Sequence, residues 1–402
     1  MYSNDMDFDT IVWVDSSKKL LDKLSSLNKV LKKKNLKPIF LTRTHKVSEL
    51  LSKNNIRSMS IIKFSMYIFR SLVFEDFFYL KKIRNYQLDN EIYWDNLQSN
   101  LLKIRRNFSF KHFYNFLFDL LLKKIFWASI ILSINKGYLK NALILNGLNS
   151  FGYLLTKICH KRKISFMFWE NGLFKKTLIV NSYGVNAYGR KNISFLSKDI
   201  KEKIRINQFT REFISFKNKY ILCPLQFEID TNIVCASQFD DCNQFLQKII
   251  FPLSLILKDH IFLIRPHPKQ REVEKDIKSF IDSNKNLAID NSTEVESSLC
   301  KCDMVICINS TVGFTAFSNG LPVISFGRSL WSDLNSRYIL DISKNNFEFF
   351  YNDLKFRQSN HIISEIKKIS FDFNNIDPNI INLNNESFMN SRPSRFFPRK
   401  VR

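Results

Sequence analysis

The chain has 402 residues, 45% apolar and 24% charged, with 61 Lys and Arg against 37 Asp and Glu for a formal charge of +24. That balance is globular and excludes both a disordered chain and a polytopic membrane protein; the length calls for two to three domains. The charge favours anionic partners; the 39 Phe residues, beside abundant Lys, Ile and Asn, read either as nucleotide bias or as selection for a binding surface.

The first ten residues are acidic and polar, without the basic start and apolar middle of a secretory signal, which predicts a cytosolic protein. Ile11 to Val14 reads as a strand, Leu20 to Leu36 as a helix, Pro38 to Leu41 as a strand, Val47 to Ser52 as a helix and Ile56 to Ile62 as a strand. This rhythm implies a parallel sheet covered on both faces. A Phe-rich helical insertion follows over about 64–140. Within it, Phe113 to Ile134 is too interrupted by Asp119, Lys123 and Lys124 to cross a bilayer, each charge costing roughly 2.5 to 3.5 kcal/mol at its centre. With Arg105, Arg106 and Lys111 nearby, it reads either as a basic amphipathic helix on a membrane surface or as a core helix with solvated lysines.

The rhythm resumes with a strand at Ala142 to Leu145, a helix at Phe151 to Lys163 and a strand at Ile164 to Trp169. That last strand delivers Glu170 at its carboxyl end, where ligands of open α/β sheets bind, and Gly172 permits a tight turn after it. Glu170 is the best candidate for a general base or nucleophile, because a desolvated strand-end acid is raised toward neutrality; the competing reading is an exposed turn residue. A basic stretch, Ser197 to Lys219, separates this half from a second alternating series.

In that series a strand at Tyr220 to Cys223 precedes Gln226 and Asp230, either of which suits a cleft. A helix spans Asn243 to Leu257. The strand His260 to Ile264 ends in Arg265-Pro266-His267-Pro268, whose prolines hold the guanidinium and imidazole in few directions, as a leaving phosphate requires. Helices at Val273 to Asn284 and Glu294 to Cys302 flank a strand at Leu287 to Ile289. The strand Met304 to Ile308 then delivers Asn309, Ser310 and Thr311 to the N-terminus of a helix over Val312 to Ser318, a phosphate-binding geometry as well as an ordinary N-cap. Gly320 ends that helix and Leu321 to Phe326 adds a strand. Scattered cysteines at 159, 223, 235, 242, 300, 302 and 307 read as reduced thiols, and no Asp-x-Asp stands with the flanking apolar strand of a metal site, so a divalent ion is not implied.

The predicted fold class is therefore α/β, with two Rossmann-like domains facing across a cleft, the GT-B plan of nucleotide-sugar glycosyltransferases. The boundaries are 1–215 for the first domain, 216–375 for the second and 376–402 for a basic tail with Arg392, Arg395, Arg399, Lys400 and Arg402.

Trp169-Glu-Asn-Gly172 with Gly184-Val-Asn186, Pro224-Leu-Gln226, Arg265-Pro-His-Pro268, Asn309-Ser-Thr-Val-Gly313 and Gly320-Leu-Pro-Val323 together resemble, in the same order, the bacterial capsular polysaccharide biosynthesis and export proteins, the β-Kdo transferases. The resemblance runs from about Ile164 to Gly327. Lys175 and Lys176 stand where the family often has Arg, and the first 140 residues match poorly. It implies a metal-independent GT-B enzyme with no cofactor besides a CMP-Kdo donor, retaining configuration. It implies too a lipid or glycan acceptor at the cytoplasmic face of the inner membrane. His267, Pro268, Ser310 and Thr311 would hold the CMP phosphate, with Arg265, Asn309 and Gln226 beside them, and Glu170 would face the anomeric carbon. A CMP-sialic acid or other nucleotide-sugar transferase, and a non-catalytic capsule assembly or export partner, are the alternatives. No nucleic-acid-binding motif accompanies the charge.

Overall fold

The computed structural model describes residues 7–15, 21–70, 110–148, 150–184, 189, 202–205, 219–227, 230–237, 239, 241–268, 275–332, 348–351, 363–364, 366–368, 370–372 and 381. The chain forms two compact units, Met1–Val185 with Ser370–Arg392, and Asn186–Ile369 with Pro393–Arg402.

In the first unit, strands Thr10–Asp15 (β1), Pro38–Thr42 (β2) and Ser58–Ser60 (β3) alternate with helices Leu21–Lys33 (α1) and His45–Lys53 (α2). Helices Ile61–Arg70 (α3) and Phe110–Asn135 (α4) follow, then Asn141–Leu145 (β4), Ser150–Arg162 (α5), Ser165–Asn171 (β5) and Thr177–Asn181 (β6). The strands β3-β2-β1-β4-β5 are parallel in that spatial order, the Rossmann order, with its switch point between β1 and β4. The strand expected over Ile56 to Ile62 is shorter than the apolar run. Ile61 and Ile62 open α3 instead, because Ile61, Phe64 and Ile68 fall on one helical face and fill the core.

Two strands of this unit were not anticipated. β6 runs antiparallel to β5, and Ser370–Asp372 (β14), from beyond the second unit, runs antiparallel to β6. Glu170 therefore lies inside a strand that is not the last of its sheet. The sheet is covered on both faces. One face packs Trp13, Phe126, Phe151 and Phe168 with α3, α4 and α5; the other packs Val12, Leu27, Phe40 and Trp169 with α1 and α2. Residues 71–109 of the Phe-rich insertion lie outside the described residues, as does the basic tail apart from Ile381, whose buried side chain joins the second face.

The lysines of α4 are not all solvated. Lys123 is 1% exposed, 3.8 Å from Asp119, which also accepts from Arg43 Nη2 at 2.6 Å. One turn separates Asp119 from Lys123, so both fall on the side that packs against the sheet, and pairing lets them be buried. Among the described residues no helix is long and apolar enough to cross a membrane.

In the second unit the strands are Tyr220–Pro224 (β8), Ile261–Arg265 (β9), Leu287–Ile289 (β10), Met304–Cys307 (β11) and Val323–Ser325 (β12); Glu202–Arg205 (β7) and Glu348–Tyr351 (β13) form a separate antiparallel pair. The order β10-β9-β8-β11-β12, all parallel, repeats the Rossmann order. Helices Thr231–Ala236 (α6), Lys275–Ser283 (α8), Val295–Leu299 (α9) and Thr311–Ser318 (α10) connect them. The helix expected over Asn243 to Leu257 (α7) is Cys242–Phe245 and Phe251–Ile256 joined through a π-helical segment, Leu246–Ile250. Pro252 has no N–H for the α-helical ladder, and the wider turn before it accommodates that loss. Both units are thus α/β with Rossmann-like sheets, as the sequence implied.

Candidate functional site

In the second unit the switch point lies between β8 and β11, and the chain leaves both strands there with polar residues. Gln226, buried at 7% exposure, accepts a hydrogen bond from the Asn309 backbone N–H at 3.4 Å and donates from Nε2 to Asp230 Oδ2 at 3.4 Å. Its backbone N–H meets Cys242 Sγ at 3.3 Å. Asp230 caps α6, accepting from Asn232 N.

Asn309 donates from Nδ2 to the carbonyls of Asn232 and Arg328, at 2.9 and 3.1 Å, while its buried Oδ1 has no hydrogen-bond partner. Ser310 takes the N-cap position of α10, its hydroxyl accepting from Val312 N at 3.2 Å, and Thr311 is exposed at the first helical position. Gln226, Asn309, Ser310 and Thr311 are therefore brought together where a helix N-terminus offers partial positive charge and N–H donors, a geometry suited to an anionic group.

Arg265 is turned elsewhere. Its guanidinium is buried and donates to Asp290 Oδ2 at 2.7 Å, Ser298 Oγ at 2.9 Å and the Thr293 carbonyl at 3.4 Å. Burial alone raises the Asp290 carboxyl, but hydrogen bonds from Ser292, Ser298 and Arg265 outweigh it and hold the group below its ordinary pKa. In this arrangement Arg265 is an anchor: it fixes the end of β9 to the β10–α9 connection, and with it the Pro266-His267-Pro268 segment. The half-buried His267 ring lies 6.0 Å from the exposed Phe227 ring, tilted by 53°. Pro268 is exposed.

In the first unit Glu170 sits near the carboxyl end of β5, half-buried, its Oε1 accepting from Asn146 Nδ2 at 3.1 Å. Asn146 follows β4 in a left-handed conformation, φ 63°, and its Oδ1 accepts from Leu148 N. Alternation along the strand sends Glu170 to the side of Phe166 and Phe168, and Asn171 to the side of Met167 and Trp169. On that second side Lys23 Nζ donates to Asn171 Oδ1 at 2.6 Å, and burial lowers the pKa of Lys23. The turn after the strand closes on Gly172, whose N–H donates to the Thr177 carbonyl at 2.8 Å. A Cβ there would stand 1.9 Å from Thr177 Oγ1, so close approach rather than an unusual φ selects glycine.

Sequence reasoning missed Asn146, Lys23, Phe227 and Asp290. The Asn-Gly pair directly after the β4 strand was a readable signal for the first; the others depend on contacts 25 to 148 residues apart in sequence. Among the described residues no group of three or more His, Cys, Asp or Glu side chains could hold a metal ion.

Residues 181–334 match the family described as capsule polysaccharide biosynthesis protein, and so the family likeness read from the motifs holds over that span. No curated protein matches the chain significantly. Among solved structures, KpsC β-Kdo 2,7 transferase of Thermosulfurimonas dismutans is 18% identical, covering 50% of this chain and 69% of its own, with a TM-score of 0.32. A glycosyltransferase from Rickettsia africae is 11% identical over 93% and 95%, with a TM-score of 0.37. UDP-GlcNAc 2-epimerase from Neisseria meningitidis is 12% identical over 79% and 82%, at 0.33. The fold assignment rests on the strand order of each sheet.

Proposed function

We propose that the protein, built of two Rossmann-like units, is a metal-independent glycosyltransferase of capsular or related surface-polysaccharide assembly that takes Kdo from CMP-Kdo with retention of configuration. The acceptor is a lipid or glycan held by the first domain, at the cytoplasmic face of the inner membrane. The observation that carries the reading is the convergence of Gln226, Asn309, Ser310 and Thr311 at the switch point of the second unit, inside the span that matches the family.

In this reading the donor phosphate sits over the start of α10, bound by its N–H groups and the hydroxyls of Ser310 and Thr311. His267, held between two prolines on the neighbouring strand end, supplies a proton or positive charge to the departing phosphate, with Pro268 fixing its backbone. Arg265 contributes by holding that segment against Asp290. Glu170 faces the anomeric carbon, stabilising cationic character or forming a covalent intermediate, either of which preserves configuration. Asn146 fixes the orientation of the carboxylate.

A donor screen with CMP-Kdo, CMP-sialic acid and UDP-sugars, monitored by nucleotide release with a lipid acceptor present, tests the proposal. Release from CMP-Kdo alone supports it, and release from another donor reassigns the sugar. Absence of saturable CMP binding by calorimetry sinks it in favour of a non-catalytic assembly protein.

A further inference from the structure

Large apolar side chains exposed to solvent are unevenly distributed in this protein. Nine are exposed among the described residues, and six of them lie on two helices: Ile62 and Met66 on α3, and Tyr114, Leu117, Phe118 and Leu121 on α4. The spacing in α4 is that of a single stripe on a helix, three, four and seven residues after Tyr114. Ile62 and Met66 are likewise one turn apart. The two helices pack on each other through their other faces, Ile61, Phe64 and Ile68 against Leu122, Phe126 and Ile130. The outward stripe is therefore surplus to the core.

Among the described residues, the exposed charges on these two helices have one sign. Lys63, Arg70 and Lys124 are exposed on the same helices, and the only acid in either, Asp119, is buried between Arg43 and Lys123. Scattered exposed apolar residues need no explanation, but a stripe whose exposed charged neighbours on the two helices are cations is suited to a surface with anionic headgroups over an apolar interior. A protein partner would have to be acidic and apolar at once, whereas an anionic bilayer has that layering by construction. Although its 26 residues are long enough, α4 is not apolar enough to span, so it would lie along the interface.

The position in the fold gives this face a use. α3 starts directly at the carboxyl end of β3, and Asp119 of α4 is tied to Arg43, the residue after β2. The stripe thus borders the same edge of the first sheet at which Glu170 and Asn146 meet.

We propose that the α3–α4 face docks the first unit onto an anionic lipid bilayer, its apolar stripe entering the interface while Lys63, Arg70 and Lys124 meet headgroups, and so brings that sheet edge to membrane-borne substrate. This deepens the membrane placement proposed above but does not depend on the transfer chemistry, because its readout is partition rather than turnover.

The test is sedimentation of the full chain with vesicles of phosphatidylcholine alone or of equimolar phosphatidylcholine and phosphatidylglycerol. The wild type is compared with the triple variant Leu117→Ser, Phe118→Ser, Leu121→Ser, which changes no charge and alters only exposed positions. The wild type should partition to the mixed vesicles and weakly to the neutral ones. The variant, with an unchanged circular dichroism spectrum and unfolding temperature, should partition about tenfold more weakly or worse. Equal partition of variant and wild type would overturn the proposal, since the +24 charge alone would then account for binding. So would failure of the wild type to bind mixed vesicles, or a fall in molecular mass by light scattering in the variant with partition unaltered, which would make the face a contact between copies.

Discussion

Replacing Asp290 by Asn probes the anchor that positions the His267 segment. The Arg265 and Asp290 side chains are 8% and 6% exposed, so the substitution leaves a buried guanidinium with Ser298 Oγ and the Thr293 carbonyl but no counter-charge. Breaking a buried pair from one side costs about 3–5 kcal/mol, and the amide oxygen of Asn restores about 1 kcal/mol as a neutral hydrogen bond. The net loss is about 2–4 kcal/mol. In urea, with a slope of about 2 kcal/mol/M, the midpoint of the second unit's transition should fall by about 1–2 M.

The pH dependence has a definite sign. The folded-state pKa of Asp290 lies below its ordinary value, so its contribution is fully present above about pH 4 and is lost as pH falls through the lower folded value. The gap between wild type and Asp290→Asn should therefore be constant from pH 5 to 8, within about 0.3 kcal/mol, and close in more acidic solution. A midpoint shift below about 0.3 M urea at pH 7, or a gap that widens on acidification, would refute the assignment of Arg265 as an anchor held by this carboxylate.

Glu170→Gln keeps the hydrogen bond from Asn146 while removing the negative charge, so transfer should fall by at least about a hundredfold with the unfolding temperature unchanged; near-normal turnover removes Glu170 from the mechanism. Gly313→Ala places a Cβ 2.6 Å from Cys307 Sγ and 3.0 Å from Trp331, both buried, and should cost about 1–3 kcal/mol in denaturant unfolding, whereas an unaltered midpoint would mean that α10 can move away from β11. Burial raises the thiols of Cys159 and Cys223, and pushes Cys302 up to about 11 and Cys307 up to about 12, so thiol-labelling at pH 8 followed by peptide mapping should modify exposed Cys300 first among these five; comparably fast modification of Cys307 would contradict its packing.

Most of the parallel strands were legible because they are short apolar runs followed by helices, and strand ends then singled out Glu170, Gln226, His267 and Ser310 as candidates without any knowledge of partners. Arg265 illustrates what was not legible. Its place at a strand end suggested a ligand contact, yet the direction of its guanidinium is decided by Asp290 and Ser298, 25 and 33 residues later. β14 was invisible for a related reason: Ser370–Asp372 is three residues long and becomes a strand by pairing with β6, 189 or more residues upstream. Lys123 read as solvated because lysine usually is; only the position of Asp119 one turn earlier, and the sheet beneath both, reverses that.

The return of Ser370–Asp372 to the first sheet has a consequence for how the chain matures. A ribosome will have released the amino-terminal half long before residue 370 emerges, so β6 must wait as an open edge, its unpaired backbone groups available to any passing strand. Fragments ending between the two units should accordingly aggregate, while joining Thr177–Asn181 to a copy of the missing segment through a short linker should restore solubility.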